Sequence, residues 1–138
     1  GRAIPKNYDK AREWFSKAAA QKSPFGQYNL AMLYYNGHGV PLDKAIAHEL
    51  LLRSAMQGAE YSQYRLAQMY SDGMGTAKNA SQAYAWWSIS ADHRFENLQR
   101  EVRELVDLMT PEEKQQAISL AKVYQKEFLR DEKAAMPN

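Results

Sequence analysis

One stretch of this 138-residue chain resembles a metal site. His48 and Glu49 are followed by three leucines. The zinc-protease motif needs a second histidine one helical turn after the first, so that two imidazoles hold the metal while the glutamate acts as a base. Residue 52 is leucine, so that ligand is absent. The pattern therefore favours a structural role for His48.

Two further stretches have weaker chemical patterns. Gly37-His38-Gly39 has the form of a phosphate-binding loop, but no strand precedes it. Adjacent carboxylates such as Glu112 and Glu113 face different directions on a helix and are typical of a solvated surface. The chain has no cysteine, which excludes disulfides, thiolate metal sites and cysteine nucleophiles. We therefore predict that the protein is not an enzyme and uses no metal or cofactor.

The glycines instead mark an internal repeat. A shift of 36 residues places QYNLAMLYYNGHGV, residues 27–40, on QYRLAQMYSDGMGT, residues 63–76. The same shift aligns AREWFSKAAAQ at 11–21 with AHELLLRSAMQ at 47–57 and AYAWWSISADH at 83–93. Self-similarity at a fixed period in this range is typical of stacked repeats.

Each half of the repeat has the spacing of a helix. Leu30, Leu33 and Tyr34 share one face in the first half. The corresponding face of the second half carries Ala11, Trp14, Phe15 and Ala18. Gly37 follows the first helix, where a left-handed residue allows the last carbonyls to be satisfied. We predict an all-α stack of antiparallel helix pairs with a period of 36, in which the Gly-x-Gly segment separates the two helices.

The repeats divide the chain into five segments. We predict a half repeat, second helix only, at 1–23, full repeats at 24–58 and 59–93, a two-helix C-terminal cap at 94–130 and a flexible tail at 131–138. The chain thus reads as the carboxy-terminal part of a longer array. Both cap helices are expected to depart from the period. Thr110, Pro111 and Glu113 form a capping box that starts the second of them.

The pattern L-A-x-x-Y-x-x-G-x-G-V, followed by a helix with an aromatic pair and two alanines, resembles the Sel-one-like repeat family, which is related to the tetratricopeptide repeats. The resemblance covers about residues 1–93, and Leu50 and Leu51 depart from its aromatic pair. It implies a right-handed α-α superhelix, a solenoid, that acts as a non-catalytic scaffold. It also implies roles in secretion, envelope signalling or complex assembly, and it favours a bacterial periplasmic or envelope setting over the cytoplasm.

The outer side of the first helices is the candidate binding surface. With Leu30 as the buried reference and 100° per residue, a set of aromatic, polar and lightly charged residues points the opposite way. In related solenoids this side lines the concave face. The predicted partner-binding residues are Tyr28, Asn29, Met32, Tyr35, Asn36, Tyr64, Arg65, Gln68, Ser71 and Asp72. The alternative, in which Tyr28 and Tyr64 pack between helices, remains open.

The expected partner is another protein or a peptide, with no nucleic acid and no membrane insertion. An RNA-binding helical repeat is disfavoured because Arg65 is the one basic residue on the candidate surface and the charge of Asp72 offsets it. A glycan-binding or peptidoglycan-associated module is a second alternative, but Trp86 and Trp87 occupy the repeated positions of Trp14 and Phe15 and are expected in the core. The half repeat at 1–23 leaves an apolar face uncovered, which favours self-association.

Overall fold

The computed structural model describes residues 4–91 and 96–129, with side chains over 7–90 and 100–128. In that part of the chain seven α-helices follow one another without a strand. They are α1 (Ile4–Ala20), α2 (Pro24–Asn36), α3 (Lys44–Met56), α4 (Glu60–Asp72), α5 (Ala80–Ala91), α6 (Glu96–Asp107) and α7 (Pro111–Tyr124), and α7 continues into a π-helical turn at Gln125–Leu129. The tail predicted at 131–138 lies outside the described residues.

Side-chain caps fix where four helices begin. An oxygen of the capping residue accepts a hydrogen bond from the amide three residues further on, at 3.1 Å in each case. The four capping residues are Ser23, Asp43, Asn79 and Thr110. The predicted capping box is confirmed, because the Thr110 amide donates in turn to the Glu113 carboxylate at 3.1 Å. Each cap satisfies a backbone amide that the helix itself leaves without a partner.

The Gly-x-Gly segments end the first helix of each repeat. Gly37 and Gly73 adopt left-handed conformations, with φ of 69° and 72°. Their amides donate to carbonyl oxygens four residues back in α2 and α4. The loop then folds against the helix it has just left, since the Asp43 amide donates to Tyr34 O and the Asn79 amide to Tyr70 O, both at 2.9 Å. The segment is a helix stop, as the sequence predicts.

The second glycine of each loop packs against the preceding second helix. A Cβ on Gly39 would lie 2.7 Å from the Cβ of Tyr8 in α1. A Cβ on Gly75 would collide with the carbonyl oxygen of Lys44 in α3. Tyr8 and Lys44 are themselves 36 residues apart. The glycines therefore allow successive repeats to stack with their main chains in close contact.

The main core lies between α2, α3, α4 and α5. Its largest fully buried side chains are Trp86, Leu51 and Leu66. Small residues separate them, among them Ala31, Ala47, Ala55, Ala67 and Ala83. Trp87 is also buried, in agreement with the repeat alignment. Alternation of large and small side chains lets neighbouring helices interdigitate closely.

A short chain of buried hydroxyl groups links three helices. The Ser62 hydroxyl in α4 contacts the Ser54 hydroxyl in α3 at 2.6 Å, and Ser54 Oγ donates to the Pro24 carbonyl of α2 at 2.8 Å. Gln57 donates to the buried Gln27 side chain at 2.8 Å. Buried polar groups are costly without partners, so these bonds hold one repeat in register with the next.

Trp14 departs from the packing that the repeat predicts. Its equivalents after one and two repeats are Leu50, which is half-buried, and Trp86, which is buried. Trp14 itself is 74% exposed. The half repeat was expected to leave an apolar face of this helix uncovered; in the described part of the chain α1 contacts only α2 extensively, and no helix there covers Trp14.

The period continues one helix further than the sequence indicates. Val102 and Leu105 of α6 lie 36 residues after Leu66 and Met69 of α4, and both pack on the main core. α7 begins only 31 residues after α5 and packs directly on it. The apolar positions of α6 therefore keep the spacing of 36 residues, whereas the start of α7 does not.

Candidate protein-interaction surface

The side chains of α2 and α4 that point away from Leu30 and Leu66 form one surface, here called the first-helix face. It contains the ten residues predicted for binding. Asn36 and Asp72 are exposed and the other eight are half-buried. The described structure thus leaves part of every member accessible.

Tyr28 and Tyr64 belong partly to the core and partly to this face. Both pack against the main core and both remain half-buried rather than buried. The Tyr28 ring also meets the Tyr61 ring edge to face, with centroids 4.9 Å apart and planes at 79°. Burial raises the pKa of the Tyr61 phenol, and the neighbouring Tyr28 raises it further. The contact between Tyr28 and Tyr61 therefore joins the adjacent first helices α2 and α4 across the face.

The polar members hold defined orientations. Asn29 and Asn36 each donate from their side-chain amide to a carbonyl four residues back in α2, at 2.8 Å and 3.0 Å. Arg65 donates to Gln68 Oε1 at 3.3 Å along α4. These bonds use side-chain donors, so the amide oxygens of Asn29 and Asn36 remain able to accept a hydrogen bond from a ligand.

A cation lies at the carboxyl end of α2. The Lys44 ammonium is 4.9 Å from the centroid of the Tyr35 ring and 4.0 Å from the Met74 sulfur. An ammonium over an aromatic ring is attracted by its π electrons. Lys44 thereby fixes Tyr35 beside the loop of the following repeat.

Sequence reasoning left out Phe25 and Tyr61, which the structure brings to the same face. Phe25 is 62% exposed and Tyr61 42% exposed. They are 36 residues apart, and the rotation of 100° per residue that selects Met32 also selects Phe25. The helical rotation thus identifies Phe25, and the 36-residue repeat then identifies Tyr61.

A cavity of about 310 Å³ lies where α4 meets α6. Three members of the first-helix face, Gln68, Ser71 and Asp72, form one side of it. Trp87 and the α6 residues Glu101, Glu104, Leu105 and Leu108 form the rest. The α6 residues of this acidic cavity were not predicted, because their segment was assigned to a cap outside the repeat.

The described residues offer little for catalysis or metal binding. They contain no cluster of three or more histidine, cysteine or acidic side chains that could hold a metal. His48 lies edge to face on Tyr70 at 5.1 Å, and burial lowers its pKa while Glu49 opposes that shift. The buried rings of Trp86 and Trp87 are not available for stacking on a sugar.

Comparison with known families decides the classification. The Sel1 repeat model matches residues 1–23, 24–58 and 60–94, which together make up more than half of the chain. The chain belongs to the Sel1 repeat family. Sel1 repeats form scaffolds that typically mediate interactions between proteins, and the solenoid they build is not itself a catalytic fold.

Two solved Sel1-type structures resemble the whole fold. A protective antigen of uropathogenic Escherichia coli strains, c5321, superposes with a TM-score of 0.80 at 29% identity over 94% of this chain and 29% of that one. A Sel1 repeat protein from Oxalobacter formigenes superposes with a TM-score of 0.66 at 24% identity over 76% of this chain and 47% of that one. The predicted all-α solenoid is confirmed.

One curated relative matches a stretch of 38 residues. The ERAD-associated E3 ubiquitin-protein ligase component HRD3B of Arabidopsis thaliana is 53% identical over 38 residues, 28% of this chain and 6% of that protein. The chain thus spans less than half of each of these three Sel1 relatives. Within the described residues, no helix combines the length and apolar character needed to cross a membrane.

Proposed function

We propose that this chain is a docking module that binds a segment of another protein on its first-helix face, as part of complex assembly, secretion or envelope signalling. The observation that carries the proposal is the repeated pair of aromatic residues on adjacent helices. Phe25 and Tyr61 are exposed, Tyr28 and Tyr64 are half-buried against the main core, and the Tyr28 ring meets the Tyr61 ring edge to face.

Energetic arguments favour a protein ligand for such a surface. Tyrosine and arginine are enriched among residues that dominate binding, and truncating such a residue costs about 2 kcal/mol or more. The face offers tyrosines, Arg65 and oriented amides from Asn29 and Asn36. Rigid helices hold these groups in place, so little conformational entropy is lost when a partner binds.

The two alternative ligand classes receive less support. An RNA ligand needs phosphate contacts, but Asp72, Glu101 and Glu104 line the α6 end of the face and repel a polyanion. The glycan alternative arose from the two adjacent tryptophans of α5, and both of these rings are buried. A protein or peptide ligand fits both the rings and the carboxylates.

The test is a pull-down from host lysate with three forms of the chain. One is the parent, one is Phe25→Ser/Tyr61→Ser, and the control is Ile46→Ser/Met56→Ser, which alters two exposed apolar residues of α3. Circular dichroism must show that all three are equally helical. We expect a protein that co-purifies with the parent and the control but is lost with the first variant. Equal recovery with all three would refute the docking surface.

A second proposal concerns self-association through α1. Trp14 is 74% exposed on this helix, although tryptophan is highly buried on average. Sedimentation velocity over a hundredfold concentration range should show dimers of the parent and monomers of Trp14→Ser. A parent that stays monomeric throughout would refute this proposal without affecting the first.

A further inference from the structure

The acidic cavity has the size of a small ligand pocket. Its volume of about 310 Å³ lies at the lower end of the range of roughly 300–1,000 Å³ that is usual for ligand sites. That volume accommodates a side chain or a short segment rather than a folded domain. Its position matters as much as its size, because Gln68, Ser71 and Asp72 belong to both the cavity and the first-helix face.

The charge of the cavity is one-sided. Among the described residues that line it, Asp72, Glu101 and Glu104 are acidic and none is basic. Among the described residues, the one ion pair closer than 4.0 Å joins Arg53 to Glu49. None of the three cavity carboxylates therefore forms an ion pair with a described residue. Arg65 bonds to Gln68, and Arg100 and Arg103 flank the two glutamates along α6, but none of these three cations is among the described lining residues. Like charges gathered beside an apolar wall favour an incoming cation.

The remaining walls are apolar. Leu105 and Leu108 of α6 and the buried ring of Trp87 complete the cavity. Leu108 is 85% exposed, so it presents apolar surface to a ligand at the rim. Lysine and arginine bury their methylene stems against apolar surface while the charged group stays among polar partners. The leucine wall fits the methylene stem of such a side chain, and the carboxylates fit its charged group.

The cavity also continues the repeat. Glu101 and Glu104 stand 36 residues after Arg65 and Gln68, at the same positions of the next first helix. An extended segment that crosses α2 and α4 therefore meets the acidic residues of α6 next. This continuity links the occupant of the cavity to the segment that contacts Phe25 and Tyr61.

We infer that the acidic cavity between α4 and α6 receives a lysine or arginine side chain of the segment that docks on the first-helix face. The inference rests on the proposed function, since it names the chemistry of that partner. It predicts a partner segment with an aromatic or apolar part followed or preceded by a basic residue. The carboxylates then select among partners, and the rings supply most of the contact area.

The test uses a random peptide display library panned on the full chain. Enriched peptides are synthesised with arginine or with citrulline, which keeps the shape of arginine without its charge. Binding is measured by fluorescence anisotropy to the parent, to Glu101→Gln/Glu104→Gln, and to Asp9→Asn/Glu13→Gln. The last variant removes two exposed carboxylates from α1, far from the cavity along the chain.

We expect enriched peptides to share a basic position. Citrulline at that position, or the Glu101/Glu104 variant, should weaken binding about tenfold, while the α1 variant binds like the parent. A tenfold change corresponds to about 1.4 kcal/mol. Citrulline should no longer weaken binding to the Glu101/Glu104 variant, because the two changes remove the same contact.

The outcomes separate the two proposals. Enriched peptides that need Phe25 and Tyr61 but tolerate citrulline would overturn the basic anchor and leave the docking surface intact. Equal weakening by the α1 variant would also overturn it, because the effect would then be one of net charge. Failure to enrich any peptide that depends on Phe25 and Tyr61 would refute the docking surface and the anchor together.

Discussion

The Trp86 ring of α5 lies 4.5 Å from the Tyr124 ring of α7, centroid to centroid, with the two planes tilted by 41°. The Tyr124 hydroxyl donates a hydrogen bond to Gln82 Oε1, also in α5, at 2.8 Å. Phe128 adds a second ring at 5.5 Å from Trp86. α7 and the π-helical turn thereby cover the Trp86 ring of α5.

Removing the Tyr124 ring should therefore destabilise the α5 end of the solenoid. We expect Tyr124→Ala to lower the free energy of unfolding by about 2–4 kcal/mol, because it uncovers Trp86 and leaves a cavity. Tyr124→Phe should cost about 1 kcal/mol through the lost hydrogen bond. The control is Val123→Ala at an exposed site on the same helix, expected within about 0.5 kcal/mol of the parent. Urea denaturation measures all three, and equal values for Tyr124→Ala and Val123→Ala would contradict the role of the ring.

The loop glycines allow backbone strain and steric collision to be measured separately. Gly75 and Gly58 both have positive φ, 73° and 91°. A Cβ at Gly75 would collide with Lys44 O, whereas one at Gly58 would meet no atom within 4 Å. Gly58→Ala should lower the free energy of unfolding by about 1 kcal/mol through strain alone. Gly75→Ala should cost at least about 1–3 kcal/mol more, as overpacking does, and equal losses in urea denaturation would refute this contact.

Lys22 offers a substitution that should stabilise the protein. It stands 36 residues before Gly58 and adopts φ of 64°, a left-handed conformation that is strained for a side chain. We expect Lys22→Gly to raise the free energy of unfolding by about 1 kcal/mol, because glycine avoids that strain. Gln21→Gly is the control, since Gln21 has no positive φ and should gain nothing. Thermal unfolding by circular dichroism would contradict the prediction if the Lys22 variant melted at or below the parent.

His48 should make the stability depend on pH. Its Nε2 is buried and lacks a hydrogen-bond partner among the described residues. Burial lowers its pKa below the ordinary value of 6.5, with Glu49 acting in the opposite direction. Between the lowered pKa and 6.5 the unfolded chain binds more protons than the folded one, so stability falls as the pH falls through that interval. Above 6.5 this residue contributes no pH dependence.

The corresponding experiment measures the free energy of unfolding in urea for the parent and for His48→Leu, each at pH 7.5 and at pH 5.5. The parent should lose stability on acidification, and the variant should lose less, because it has no imidazole to protonate inside the fold. The comparison between the two pH values cancels any change in packing that leucine introduces. An identical loss in both proteins would show that other groups cause the dependence.

The sequence was sufficient for features that depend on residue type and spacing. The period, the helix stops at Gly37 and Gly73 and the capping box at Thr110 each follow from local chemistry that one repeat can satisfy. The structure reproduces them because tertiary contacts and local preferences agree at these positions.

Features that depend on neighbouring elements could not be read in the same way. Trp14 has the residue type of a core position, yet its burial depends on a helix that lies beside it, which an alignment of the chain with itself does not supply. α6 has Gln99, Val102 and Leu105 in the register of Gln63, Leu66 and Met69, but it lacks the glycine and tyrosine that identify the other first helices. The sequence does not decide whether Tyr28 belongs to the core or to the surface, because its side chain packs on the core and also stays partly accessible.

The close approach of Gly39 to Tyr8 and of Gly75 to Lys44 separates the shape of the solenoid from the chemistry of its surface. The distance between repeats is set where main chain meets main chain, at positions that need only the absence of a Cβ. Exposed side chains of the first helices, such as Phe25 and Tyr61, lie outside that contact. Substitutions at such exposed positions can change what the solenoid binds without altering the contact between its repeats.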